Sequence, residues 1–85
     1  MNFFENFNLI ENCKAKILLE HCLFGKQLHH CANVQVINDE ERLGVILKNQ
    51  EIFLYKKHIT YTKMCDRLIV VSDGQLTITI TVNKL

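Results

Sequence analysis

The stretch Arg67-Leu68-Ile69-Val70-Val71-Ser72-Asp73-Gly74-Gln75-Leu76-Thr77-Ile78-Thr79-Ile80-Thr81-Val82-Asn83 decides the fold class. Leu76, Ile78, Ile80 and Val82 alternate with Gln75, Thr77, Thr79, Thr81 and Asn83. Successive side chains of an extended chain point to opposite faces, so one face here is apolar and the other lined with threonine. Arg67–Val71 is a β-branched run, and Asp73-Gly74 lies between the two segments. Asp-Gly favours a type I′ turn, whose two central positions both need positive φ. The stretch therefore predicts a hairpin over about residues 67–83.

Upstream, Val34-Gln35-Val36-Ile37 runs into the turn-forming Asn38-Asp39-Glu40-Glu41, followed by Arg42–Leu47 with Leu43, Val45 and Leu47 on one face. Asn49-Gln50 marks another turn, Ile52–Tyr55 reads as the next strand, and Ile59-Thr60-Tyr61-Thr62 continues in β-prone residues. Short connections between consecutive strands imply an antiparallel meander. Residues 1–30 admit two readings. Phe3, Phe7, Ile10, Ile17 and Leu18 suit a helix capped by Asn2, while Lys16–Glu20 equally suits a strand with Phe24–Gln27 as the turn after it. The chain thus reads as mainly β: a small antiparallel meander or barrel-like sheet with a C-terminal hairpin, and an N-terminal helix under one of the two readings. No repeat, linker or low-complexity segment divides it, so residues 1–85 form a single domain.

Composition narrows the function classes. The 85 residues include no proline and no tryptophan, 48% are apolar and the formal charge is +1. A chain this short buries only a little over ~60% of its unfolded surface, which makes a homodimer or larger assembly the expectation. The charged fraction of 22% and the abundance of Ile, Leu and Val argue against disorder. No apolar run approaches the roughly 18 residues of a membrane span. Met1–Asn12 carries Glu5 and Glu11 without a basic n-region, so a soluble, cytoplasmic protein is expected.

Four cysteines suggest reduced thiols rather than a disulfide framework. Cys13, Cys22 and Cys31 are spaced nine apart with His21, His29 and His30 beside two of them, and Cys65 with His58 could complete a zinc set. A nine-residue step, however, turns a side chain to the opposite face of either a helix or a strand. Packed thiols are expected, with no metal and no cofactor. Catalysis is not expected either. Ser72 lies in a turn, Gly25-Lys26 lacks the rest of a phosphate-binding loop, and Glu40-Glu41 sits where solvated acids are ordinary. A Cys65–His58 dyad would lack an orienting third group.

Charge is informative by segment. Met1–Tyr55 holds five Lys/Arg against seven Asp/Glu, a balance of −2, whereas Lys56–Leu85 holds five against two, a balance of +3. A strand over Glu51–His58 would place Phe53, Tyr55 and Lys57 on one face and Ile52, Leu54, Lys56 and His58 on the other. Tyr55, Lys56, Lys57, His58, Lys63 and Arg67 then form the candidate nucleic-acid-binding set, combining stacking surface with phosphate partners. The plainer reading makes Phe53 and Tyr55 core and the lysines solubilising groups on an edge.

Arg42-Leu43-Gly44-Val45 and Glu51-Ile52-Phe53-Leu54-Tyr55-Lys56-Lys57-His58-Ile59 resemble strands of the carbon storage regulator family of bacterial RNA-binding proteins. Ile17-Leu18-Leu19, Gly25-Lys26-Gln27-Leu28 and Val34-Gln35-Val36-Ile37 are similar to its first strand, following turn and third strand, so the likeness spans about residues 16–59. The resemblance implies an intertwined homodimer that binds GGA-containing hairpin loops in messenger leaders and alters translation. The family's key arginine falls on Lys56, which keeps the charge without the bidentate fork. Its first-strand threonine and arginine fall on Glu20 and His21, and the C-terminal hairpin stands where the family has a helix. Tyr55-Lys56-Lys57-His58-Ile59-Thr60 also resembles a strand of Sm-like RNA chaperones, whose bent five-stranded sheets assemble into rings.

The sequence thus leads to an RNA-binding post-transcriptional regulator acting as a β-rich homo-oligomer. The rival is a protein-interaction module, an adaptor or inhibitor docking through a sheet face or edge. The threonine face of Gln75–Asn83 and the cluster Phe3, Phe4 and Phe7 suit that rival. Those phenylalanines equally suit a plug for the protein's own core.

Overall fold

A computed structural model describes residues 2–83. Its elements are a short helix α1 (Phe3–Asn6) continuing as a 3₁₀ turn (Phe7–Ile10), then β1 (Ala15–His21), β2 (Gly25–Cys31), β3 (Gln35–Asn38), β4 (Arg42–Leu47) and β5 (Gln50–Tyr55), a second 3₁₀ turn (Lys56–His58), and β6 (Tyr61–Cys65), β7 (Leu68–Ser72) and β8 (Leu76–Val82). The mainly-β expectation holds, with an arrangement of two antiparallel sheets. One sheet has five strands in the order β2-β1-β8-β7-β6, and the other has three in the order β3-β4-β5.

The alternation in β8 does what its period dictates. Ile78, Ile80 and Val82 are buried, and Thr77, Thr79 and Thr81 face outward. The segment hydrogen-bonds on both sides, to β1 and to β7, so it is a central strand. The hairpin with β7 is present, with a different turn from the one expected. Positive φ falls on Gly74 alone (φ 93), the first of two central residues, which is the II′ pattern rather than I′. Asp73 stays out of that region because its carboxylate accepts the backbone N–H groups of Gln75 and Leu76, both at 2.8 Å. The I′ conformation occurs instead between β4 and β5, where Lys48 (φ 50) and Asn49 (φ 66) join Leu47 to its partner Gln50.

Both readings of the N-terminal thirty residues contain part of the answer. Asn2 caps α1 by accepting the Phe4 N–H at 2.8 Å, and the helical segment ends at Ile10. Residues 15–31 then form a β1–β2 hairpin whose turn is Cys22–Phe24, slightly before the expected position. Phe7 and Ile10 are fully buried against the sheets, and Phe3 and Phe4 pack partly on the same core. The phenylalanine cluster is thus the plug of the protein's own core.

Between the sheets the core is continuous. Ile17, Leu19, Ile69, Val71, Ile78 and Ile80 descend from the larger sheet to meet Leu43, Val45, Leu47 and Leu54 of the smaller. The simple meander does not occur, since β3–β5 leave the first sheet and the chain returns to it at β6. Gly44 marks a close approach inside the smaller sheet. A Cβ there would run into the Ile52 carbonyl and lie 2.5 Å from Phe53 Cα, both backbone atoms that cannot swing aside. Cys13 and Cys31 are half-buried and Cys22 and Cys65 exposed.

Two substitutions test this packing in chemical denaturation. Phe7→Ala empties the plug and is expected to lower unfolding free energy by about 3–5 kcal/mol. Gly44→Ala overpacks β4 against β5 and is expected to cost about 1–3 kcal/mol.

Candidate nucleic-acid interface

The charged residues separate by sheet. The outward face of the small sheet presents Gln35, Arg42, Gly44, Ile46, Glu51, Phe53 and Tyr55, by the register of β3, β4 and β5, with Ile37 on the same side but buried. Arg42 is held on it by Asp39 at 2.9 Å and Glu51 at 3.3 Å, and lies over the Phe53 ring at 5.1 Å. Tyr55 is half-exposed and meets Phe53 edge-on at 5.4 Å. With Asp39, Glu40 and Glu41 in the adjoining turn, this face is rich in carboxylates.

The expected stripe over Glu51–His58 is interrupted here. Arg42 and Tyr55 are the last registered pair of β4 and β5. One further bond, from the Lys56 N–H to the Glu41 carbonyl at 2.7 Å, closes the ladder, and the chain then turns as a 3₁₀ segment toward the other sheet. Lys56 is drawn inward. Its ammonium donates to the Asp39 carbonyl and sits 5.0 Å from the centroid of Phe4, so it ties the β3–β4 turn to α1. Lys57 shares one hollow with Glu40, Glu41 and Tyr55, and another with His58 and Asp73. Local carboxylates therefore offset the cations of this segment.

The five-stranded sheet has the opposite character. By register, its outward face carries Lys16 and His30 at one end, Thr77, Thr79 and Thr81 down the middle, and Lys63 on β6. Lys26 lies at the other end, 3.6 Å from Glu20, the sole acidic side chain among the outward strand positions of this sheet. Tyr61, more than half-exposed, stands at the margin. At the first end, Lys14, Lys16, His30 and Arg67 line a cleft of about 430 Å³, together with Thr81 and Asn83. Among the described residues no acidic side chain lines it. The cleft's geometry is built by strand pairing. Lys16 stands between His30 and Thr81 in the register, and the Arg67 carbonyl accepts the Val82 N–H at 2.9 Å.

Of the six residues singled out in the sequence, the structure thus carries Lys63 and Arg67 on the basic face. Tyr55, Lys56, Lys57 and His58 lie elsewhere and do not join them. Lys14, Lys16, Lys26 and His30 were missed because they sit in the net-acidic half of the chain. Their one local signal was spacing, since Lys14 and Lys16 fall on the same side of an extended segment. Among the described residues no group of three His, Cys, Asp or Glu side chains converges to hold a metal, and no helix is long and apolar enough to cross a membrane. Comparison of the chain with protein families, curated proteins and solved structures finds no match.

The β3–β4 turn that diverts Lys56 has its own pH signature. Backbone N–H groups of Glu41 and Arg42 hold the Asp39 carboxyl below its ordinary value, with the Arg42 guanidinium adding to the effect. A depressed folded-state value means that the stabilisation is present above the unfolded carboxylate value, near ~3.9, and is lost as pH falls through the folded one. An NMR titration is expected to show the Glu41 and Arg42 amides moving together below about pH 4, and Asp39→Asn to abolish that transition.

Proposed function

We propose that this protein binds single-stranded RNA along the outward face of its five-stranded sheet and acts through that binding as a post-transcriptional regulator. The observation that carries the reading is the convergence of Lys14, Lys16, His30 and Arg67 on one cleft, with no acidic side chain among its described lining residues. Phosphates are attracted by local field rather than by net charge, so a chain of overall +1 can bind a polyanion through such a cleft. Lys63 and Lys26 extend the field along the sheet. Tyr61 offers a stacking surface, and the threonine hydroxyls supply donors and acceptors for base edges and 2′-hydroxyls. The carboxylate-rich small sheet faces elsewhere and repels the same ligand. Holding a message in single-stranded form would then alter its access to the translation machinery.

Fluorescence anisotropy with single-stranded RNA at ~50 mM salt tests the proposal. Arg67→Ala and Lys16→Ala are each expected to weaken binding across sequences and to reduce the salt slope by about one. Lys57→Ala is expected to bind as the unaltered protein does. Absence of binding at low salt would sink the reading. So would a Lys57→Ala loss as large as that of Arg67→Ala, since it would return the ligand to the first 3₁₀ segment after β5.

A second reading, a protein-interaction module, is supported by one specific feature. Leu23 and Phe24, at the tip of the β1–β2 hairpin, are 79% and 82% exposed. Exposed apolar pairs on a projecting turn are common anchors for a partner. Leu23→Ser with Phe24→Ser is expected to leave RNA affinity unchanged, and a loss of RNA binding in that variant would place the hairpin tip in the RNA site and count against this second reading.

A further inference from the structure

The sheet edges of this protein are not equally guarded. The edge at β3 is capped, because the Val36 N–H donates to the Glu11 carboxylate at 2.6 Å and the Asn38 side chain reaches the Phe4 carbonyl at 2.6 Å. The edge at β6 lies against α1 and has Lys63 at its centre. The β5 edge carries Glu51 and bends away after Tyr55. The seven-residue β2, Gly25–Cys31, is the longest of the four, and nearly all of it is exposed. Proline, a bulge or a central charge usually protects such an edge. This edge has neither proline nor bulge, its one lysine, Lys26, lies near the start of the strand, and Leu28 stands at the midpoint, 57% exposed.

The free hydrogen-bonding groups of that edge can be assigned. The Cys22 N–H donates to the Gln75 carbonyl, so even-numbered residues of β1 bond toward β8. Alternation in an antiparallel ladder then turns the odd-numbered residues of β1 toward β2, where they meet Gly25, Gln27, His29 and Cys31. The backbone groups of Lys26, Leu28 and His30 therefore point away from the sheet, with Leu28 in the middle of the open set.

We infer that β2 pairs antiparallel with β2 of a second copy of this chain, about a twofold axis at Leu28. The identical strand is the occupant that this edge fits in full. With Leu28 opposite Leu28 of the partner subunit, all seven residues of β2 find partners and every free backbone group lies across from another. The side chains agree with that register. Leu28 covers its own exposed counterpart, and Gln27 lies across from His29 of the partner subunit. Lys26 falls opposite His30 of the partner subunit, which avoids the lysine–lysine opposition that would repel. Continuing past the strand, exposed Phe24 comes beside Ala32 of the partner subunit, a small residue with room for a ring. An antiparallel pair keeps each sheet face on its own side. The two larger sheets would therefore join into one ten-stranded sheet with a single basic surface. Lys26 of the partner subunit would approach the cleft formed by Lys14, Lys16, His30 and Arg67. The pairing does not depend on RNA binding.

Sedimentation velocity on the full chain without RNA tests it. The expected result is a concentration-dependent shift from the 10.0 kDa monomer to twice that mass. Leu28→Lys sets two like charges face to face on the axis and is expected to weaken association at least about tenfold. Leu28 is outside the core, so the variant should keep its β-sheet circular dichroism, and its added cation should preserve RNA binding. His30→Glu, which sets a carboxylate opposite Lys26 of the partner subunit, is expected to tighten association. Hydrogen exchange should show Lys26, Leu28 and His30 amides becoming protected as concentration rises. A protein that remains monomeric to millimolar concentration overturns the inference, as does a Leu28→Lys variant that dimerises unchanged.

Discussion

Everything in this structure depends on β8 hydrogen-bonding β1 on one side and β7 on the other. The pairing aligns buried residues across three strands. Ile17, Ile80 and Ile69 fall in one row, and Leu19, Ile78 and Val71 in the next, all buried. Closing a loop from β1 to β8 spends the entropy of most of the chain, although that cost grows only logarithmically with loop length. Burial of these branched side chains offsets it, at roughly 1.5–3 kcal/mol for each fully covered residue. The same register carries Lys16 beside Thr81 on the opposite face. The core and the basic cleft are therefore two faces of one act of strand pairing.

The smaller sheet and the N-terminal segment complete the enclosure. β3, β4 and β5 supply Leu43, Val45, Leu47 and Leu54 to the shared core, while Phe7 and Ile10 seal the remaining opening. The Asn12 N–H donates to the Val34 carbonyl at 2.8 Å, and the Val34 N–H to that of Cys13 at 3.0 Å, which fastens the segment beside β3. One strap thus fills an apolar gap and satisfies the backbone of an edge. The β2 side receives no such cover.

Legibility in the sequence followed how far each signal had to travel. The β7–β8 hairpin was evident because period-two alternation and a turn dipeptide are local properties of about seventeen residues. The turn type was misjudged because the Asp73 side chain competes for the N–H groups of Gln75 and Leu76. β2 gave almost no strand signal. Lys26, Gln27, His29 and His30 are acceptable only on an exposed edge, and an edge has no buried face to impose alternation. The candidate site fared less well than the fold. Contiguous charge in Lys56-Lys57-His58 suggested a stripe, yet the strand ended at Tyr55 and the Lys56 ammonium turned to the Asp39 carbonyl. Of the residues read from sequence, Arg67 alone lines the cleft, beside Lys14, Lys16 and His30 from the first half of the chain.

The sequence by itself determined that this protein is mainly β and that one face of β8 would be buried. These follow from residue type and period, which act over a few neighbours. Only the tertiary structure decided which cations share a surface. Charged side chains on exposed positions have no local preference that selects a distant companion. They are carried to their neighbours by the register of strands whose apolar faces find each other first. Lys16, His30 and Arg67 meet because Ile17, Ile80 and Ile69 must be buried together.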